Sequence, residues 1–93
     1  MRIFKYKING DCIVDLPIGA EILSVKEQKS QFGNGLMLWA KVEPENEMNE
    51  VEVGIFPTGA EINEGWKFIN TFETSSGLIF HAFSPTETTK AGE

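Results

Sequence analysis

The chain has 93 residues, enough for one domain with one modest hydrophobic core. Its 14 acidic and 8 basic residues give a formal net charge of −6, which speaks against direct binding to a nucleic-acid backbone. One cysteine (Cys12) and one histidine (His81) leave no internal disulfide and no usual structural zinc site.

Residues 2–8, RIFKYKI, alternate Phe4, Tyr6 and Ile8 against Lys5 and Lys7, the pattern of a half-buried strand. Asn9-Gly10 follows and predicts a tight hairpin, because both residues accept positive φ. CIVDL, residues 12–16, is then the return strand, and Pro17 ends it for want of an N–H. Residues 20–28, AEILSVKEQ, fit helix or strand by pattern alone. A second Asn-Gly at Asn34-Gly35 favours a strand paired with LMLWAKV, residues 36–42. There Leu36, Leu38, Ala40 and Val42 share one face, and Met37, Trp39 and Lys41 the other.

Residues 43–50 form an acidic, turn-rich connector. VEVGIF, residues 51–56, alternates again, and PTGAEINEG after it reads as a loop. WKFINTF and LIFHAF make a last hairpin across ETSSG. Residues 1–84 are thus expected to form a single all-β domain of about seven strands. A small antiparallel sandwich or partly open barrel, with little or no helix, fits that count. Residues 85–93 lack apolar periodicity and read as a loose tail. Residues 2–8 and 50–56 are the expected edge strands, since each carries charge on one face.

LPIGAEI, residues 16–22, returns forty positions later as FPTGAEI, residues 56–62. Proline presets φ for a turn and glycine two residues on supplies positive φ, so a turn device used twice is the first expectation. A duplication or two halves of one site would leave the same trace.

No phosphate loop, dinucleotide fingerprint or nucleophile elbow occurs, so neither enzyme chemistry nor a cofactor or metal is expected. His81, in an alternating strand, reads as a packed or hydrogen-bonded imidazole, and Cys12 as a small buried hydrophobe. Glu43, Glu45, Glu47, Glu50 and Glu52 form an acidic run suited to a basic groove on a partner. Trp66, in the polar NEGWKF, is the aromatic candidate for such a contact, or a core anchor opening the next strand. A different set suits a small nucleotide ligand: Tyr6, Trp39 or Trp66 stacking on a base, with Lys5, Lys7 or Lys67 facing phosphate. The surplus apolar face of Met37 and Trp39 is expected to cover a second layer or to join two copies in a two-fold homodimer. No signal-like segment opens the chain and no apolar run approaches the ~20 residues that span a bilayer, so a cytoplasmic location without membrane contact is expected.

FKYKI, DLPIGAEILSV, LWAKVEP, Thr58-Gly59, FINTF and FHAF, in that order across residues 4–83, resemble a family of small proteins encoded by phages and prophages. The sequence departs from that pattern at Pro57, where the family more usually has glycine, and in the turn EQKSQFGNG. The resemblance implies a mobile-element origin and a host bacterial cytoplasm, and it brings no catalytic residues. It implies a non-enzymatic accessory protein that antagonises a host macromolecule, such as a defence factor, through its acidic surface. A nucleotide-signal sponge or a minor phage structural protein is the alternative it leaves.

Overall fold

The computed structural model describes residues 1–31 and 33–85; residues 86–93 of the expected tail lie outside the described residues. Eight strands occur among the described residues: β1 (Arg2–Lys7), β2 (Ile13–Pro17), β3 (Glu21–Ser30), β4 (Gly33–Val42), β5 (Met48–Glu52), β6 (Gly54–Pro57), β7 (Trp66–Glu73) and β8 (Ile79–Pro85). Among the described residues there is no helix, and so none long and apolar enough to cross a membrane.

All pairing is antiparallel. An N-terminal sheet has the order β1-β4-β3, a two-stranded ribbon joins β2 to β5, and a C-terminal sheet has the order β6-β8-β7. The sheets do not close into a barrel; they pack as a small sandwich around one core. Leu16, Val25, Leu38, Val42 and Val53 are its largest fully buried side chains. The period-two pattern explains their choice: Leu38, Ala40 and Val42 of β4 turn inward, and Met37, Trp39 and Lys41 turn out.

Three local expectations fail, the first because long-range pairing outweighs a turn signal. Asn9-Gly10 does not make a hairpin, because β1 pairs with β4 and β2 with β5. Instead the chain turns a corner between layers. The Cys12 N–H donates to the Asn9 carbonyl at 2.9 Å, and Cys12 itself takes the left-handed conformation (φ 61). Asn34 and Gly35 lie within β4, opposite Lys29 and Gln28; the reversal sits between Ser30 and Gly33, where Gly33 has φ 113. VEVGIF is two strands. Glu52 still pairs with Ile13, whereas Gly54 pairs with Phe83, so the chain changes sheets at the buried Val53.

The repeated Pro-X-Gly-Ala is one turn used twice. Ala20 N–H donates to the Pro17 carbonyl at 3.1 Å, and Ala60 N–H to that of Pro57 at 3.2 Å, with Gly19 and Gly59 at φ 86 and 95. Each turn closes a strand, β2 or β6, and leads toward a hairpin, β3–β4 or β7–β8. Both hairpins carry a bulge in their first strand, at Leu23 and at Ile69.

Those two bulged strands meet. The Asn70 side chain accepts from the Val25 N–H through Oδ1 at 2.8 Å and donates through Nδ2 to the Val25 carbonyl at 2.9 Å. It thus serves the outer edge of β3 as a further strand would. Asn70→Ala leaves both groups of the fully buried Val25 without partners. At about 1–3 kcal/mol for each unsatisfied group, the expected loss is roughly 2–5 kcal/mol, read as a lowered urea midpoint. Asn70→Asp is expected to give no rescue at neutral pH, because it sets an oxygen against the Val25 carbonyl. A change below about 0.5 kcal/mol, the range of ordinary surface substitutions, would mean that the pair is not a joint.

Candidate functional site

The outer face of the C-terminal sheet is built by alternation. Register aligns Gly54, Phe83 and Phe68 in one row and Phe56, His81 and Thr71 in the next, on the side opposite Asn70, Phe72 and Ala82. Trp66 lies two residues before Phe68 and shares its face. The rings meet edge to face: Phe56 with Trp66 at 6.2 Å, Phe56 with Phe83 at 5.9 Å, and Phe68 with Phe83 at 5.4 Å between centroids. Phe68 remains 55% exposed and Ile79 42%, so the cluster is a surface and not a second core.

Gly54 makes this packing possible. A Cβ there would lie 2.5 Å from Phe56 Cε2 and 2.7 Å from Trp66 Cζ3, so the two rings occupy the space of its missing side chain. His81 borders the cluster with both ring nitrogens engaged, Nε2 to Thr58 Oγ1 at 2.8 Å and Nδ1 to Thr71 Oγ1 at 2.9 Å. It is a tie across the sheet, as its alternating context suggests. Glu73 faces outward opposite Ile79, and Glu61 and Glu64 lie exposed in the segment leading to Trp66, giving the apolar face acidic neighbours in the chain and register.

The outer face of the N-terminal sheet has another character. Register sets Lys5, Trp39 and Ser24 in one row, Lys7, Met37 and Lys26 in the next, and Ile3, Lys41 and Glu21 on the other side. Lys26 Nζ lies 5.9 Å from the centre of the Trp39 ring, Lys5 Nζ bonds Gln28 Oε1 at 2.8 Å, and Lys41 pairs with Glu21 at 3.1 Å. This one face holds Lys5, Lys7, Lys26 and Lys41, half of the 8 basic residues of an acidic chain.

The structure divides the residues that the sequence grouped. Lys5, Lys7 and Trp39 come together, but Tyr6 pairs with Leu38 and points to the core side, where it packs against buried residues. Lys67 lies on β7, in a groove of about 310 Å³ shared with Glu21, Ile22 and Phe68. Of the acidic run, Glu43 meets the N-terminal amine at 3.6 Å, and Glu45 and Glu47 lie exposed in the turn before β5. Glu50 and Glu52 lie on the outward side of the ribbon, opposite Asp15 and Ile13. Trp66 belongs to the aromatic face and is linked to this run by its packing on Gly54, two residues after Glu52. Phe56, Phe68 and Phe83, and the lysines 26 and 41, escaped sequence reasoning. The outward aromatics share a period of two with one another, a signal that alternation alone assigns to either face.

Two outcomes test this geometry. Gly54→Ala is expected to displace the Phe56 and Trp66 rings, shifting indole emission and lowering stability by about 1–3 kcal/mol, the range for overpacking. An unchanged spectrum and midpoint would show that the rings do not rest on this glycine. Burial raises the Tyr6 phenol above its ordinary value. Because the folded value is raised, the associated stability is present below about pH 10 and is lost as pH rises through the folded value. Absorbance titration of this sole tyrosine should therefore show a midpoint above that of the unfolded chain. Coincident midpoints would place the phenol in water.

The profile of the family Domain of unknown function (DUF7352) matches residues 1–92, and the chain belongs to that family. No curated protein and no solved structure matches it.

Proposed function

We propose that this member of the DUF7352 family is a non-catalytic binding domain whose partner is a protein docked on the outer face of the C-terminal sheet. The observation that carries this reading is the outward cluster of Phe56, Trp66, Phe68 and Phe83, with Phe68 more than half exposed. Aromatic residues concentrate at binding hot spots because they bury much area at small entropic cost. Exposed Leu78 and Ile79 extend the apolar surface at the hairpin end. Outward Glu73, with Glu61 and Glu64 in the preceding segment, fits a partner whose rim is basic.

The resemblance to phage-encoded proteins makes a host protein in the bacterial cytoplasm, such as a defence factor, the partner class we favour, with antagonism as the consequence. The contact is aromatic at its centre and acidic at its margin, not a purely acidic surface. A two-fold dimer through Trp39 is disfavoured, since it brings the lysines of both copies into one interface.

The test is stoichiometric capture of a partner from host lysate, followed by affinity measurement with the purified pair. Phe68→Glu and Trp66→Ala are each expected to weaken binding about 30-fold or more, the scale of a hot-spot loss of 2 kcal/mol. Lys5→Glu should leave it within a few-fold. Binding that survives Phe68→Glu would sink the proposal. So would light scattering in which wild type is a dimer and Phe68→Glu a folded monomer, because the face would then belong to a second copy.

A further inference from the structure

We infer that the outer face of the N-terminal sheet is a binding surface for single-stranded nucleic acid, with Trp39 as the stacking platform and Lys5, Lys7, Lys26 and Lys41 as phosphate contacts. Four lysines, of which Lys41 is paired with Glu21 at 3.1 Å, with Glu43 at the margin paired to the N-terminal amine, leave this face basic on a chain whose net charge is −6. A merely solvated face would mix the two signs and needs no tryptophan. Single-strand binding surfaces combine those two ingredients: a cationic track for the backbone and an aromatic ring for the bases.

The register supplies the layout. Lys5 and Lys7 follow one another along β1, about 7 Å apart at strand rise, while Lys26 lies two strands over in the row of Lys7. Trp39 sits between, half-buried and therefore held in place. Its neighbour across β3 is the small Ser24, which leaves that flank of the indole low. Lys26 now lies over the ring at 5.9 Å, and its flexible stem lets it turn to a phosphate when a base takes its place. Lys5 likewise trades the Gln28 amide for a charged partner. An open three-stranded face suits an extended strand with several phosphates better than one nucleotide, which is ordinarily enclosed in a cleft. An acidic peptide would use the lysines and leave the indole idle.

The surface is distinct from the aromatic face of the other sheet, so the two proposals stand or fall separately. The probe is a fluorescein-labelled oligothymidylate of about ten nucleotides, within the range of single-domain site sizes, followed by anisotropy with the wild-type chain. Emission is followed in parallel in a Trp66→Phe variant, where Trp39 is the sole indole. Saturable binding with quenching of Trp39 is expected, with log K falling against log salt at a slope of about −2 to −3 for four phosphate contacts. Lys5→Glu with Lys7→Glu should weaken binding tenfold or more, and Trp39→Leu about 5- to 150-fold, the span of stacking energies per base. Phe68→Glu should leave it unchanged. Absence of binding at about 50 mM salt, where phosphate contacts are strong, would overturn the inference. Polyglutamate binding as tightly as the oligonucleotide, or affinity indifferent to Trp39→Leu, would also overturn it by showing a general anion surface. Circular dichroism and unfolding midpoints of every variant separate loss of binding from loss of fold.

Discussion

Two hydrogen bonds from one amide, Asn70 to the backbone of Val25, hold the N-terminal and C-terminal sheets in a fixed relation. An edge strand inside a small sandwich has unpaired backbone groups that water cannot reach. A side-chain amide supplies one acceptor and one donor in the geometry of a peptide group, so Asn70 completes the edge of β3 without a ninth strand. The bulges at Leu23 and Ile69, close to the contact on both sides, add the local twist that lets the strands approach there. At the hairpin ends Asn34 Nδ2 donates to Ser75 Oγ at 2.8 Å, a second link between the same two sheets. Because the sheets join through their edges and inner faces, both outer faces stay open.

Those open faces differ in how they meet water. A sheet covered on one side ordinarily alternates apolar-in and polar-out. The N-terminal sheet keeps that rule with its lysines and breaks it at Ile3, Met37 and Trp39. The C-terminal sheet breaks it along a whole row. The cost is reduced because Phe56, Trp66 and Phe83 partly cover one another, and because the missing side chain of Gly54 lets two rings settle on the backbone. What stays exposed is concentrated at Phe68, Leu78 and Ile79. Exposed apolar rows of this kind are the surfaces on which a covering partner removes the most apolar area from water.

Period-two alternation made the strands legible, and the Pro-X-Gly pair was legible as a turn used twice because φ demands are local. The two hairpin pairings, β3 with β4 and β7 with β8, were legible; the pairing of β1 was not, since nothing near Asn9-Gly10 encodes that β1 prefers the long β4 to the adjacent β2. The change of sheet at Val53 was hidden by an unbroken alternation from Val51 to Ile55. At the candidate sites, Trp66 and the group of Lys5, Lys7 and Trp39 were within reach of the sequence. Tyr6 was misplaced beside the lysines although its parity already assigned it to the opposite face. Lys26 was out of reach, because the bulge at Leu23 shifts parity along β3. Asn70 gave no signal either: an asparagine inside FINTF looks like a solvent-facing residue until Val25 is set against it.

Net charge does not by itself decide what one face of the molecule attracts, and magnitudes say why. At physiological ionic strength a charge is felt over about 8 Å, the Debye length. The protein measures 39 × 35 × 20 Å, so even its thinnest dimension exceeds twice that length. The acidic turn before β5 and the ribbon carboxylates then act locally, and a ligand at the lysine face responds to the lysines. Below about 0.01 M salt the screening length reaches roughly 30 Å and the whole charge of −6 is felt at every face. Attraction of an anion to the N-terminal sheet is thus opposed by the rest of the molecule only in dilute salt, where the gain from releasing counterions is largest. The two effects bend the salt dependence in opposite directions. A basic face on an acidic protein is consequently most selective for anions at intermediate ionic strength, where it acts by its own charge alone.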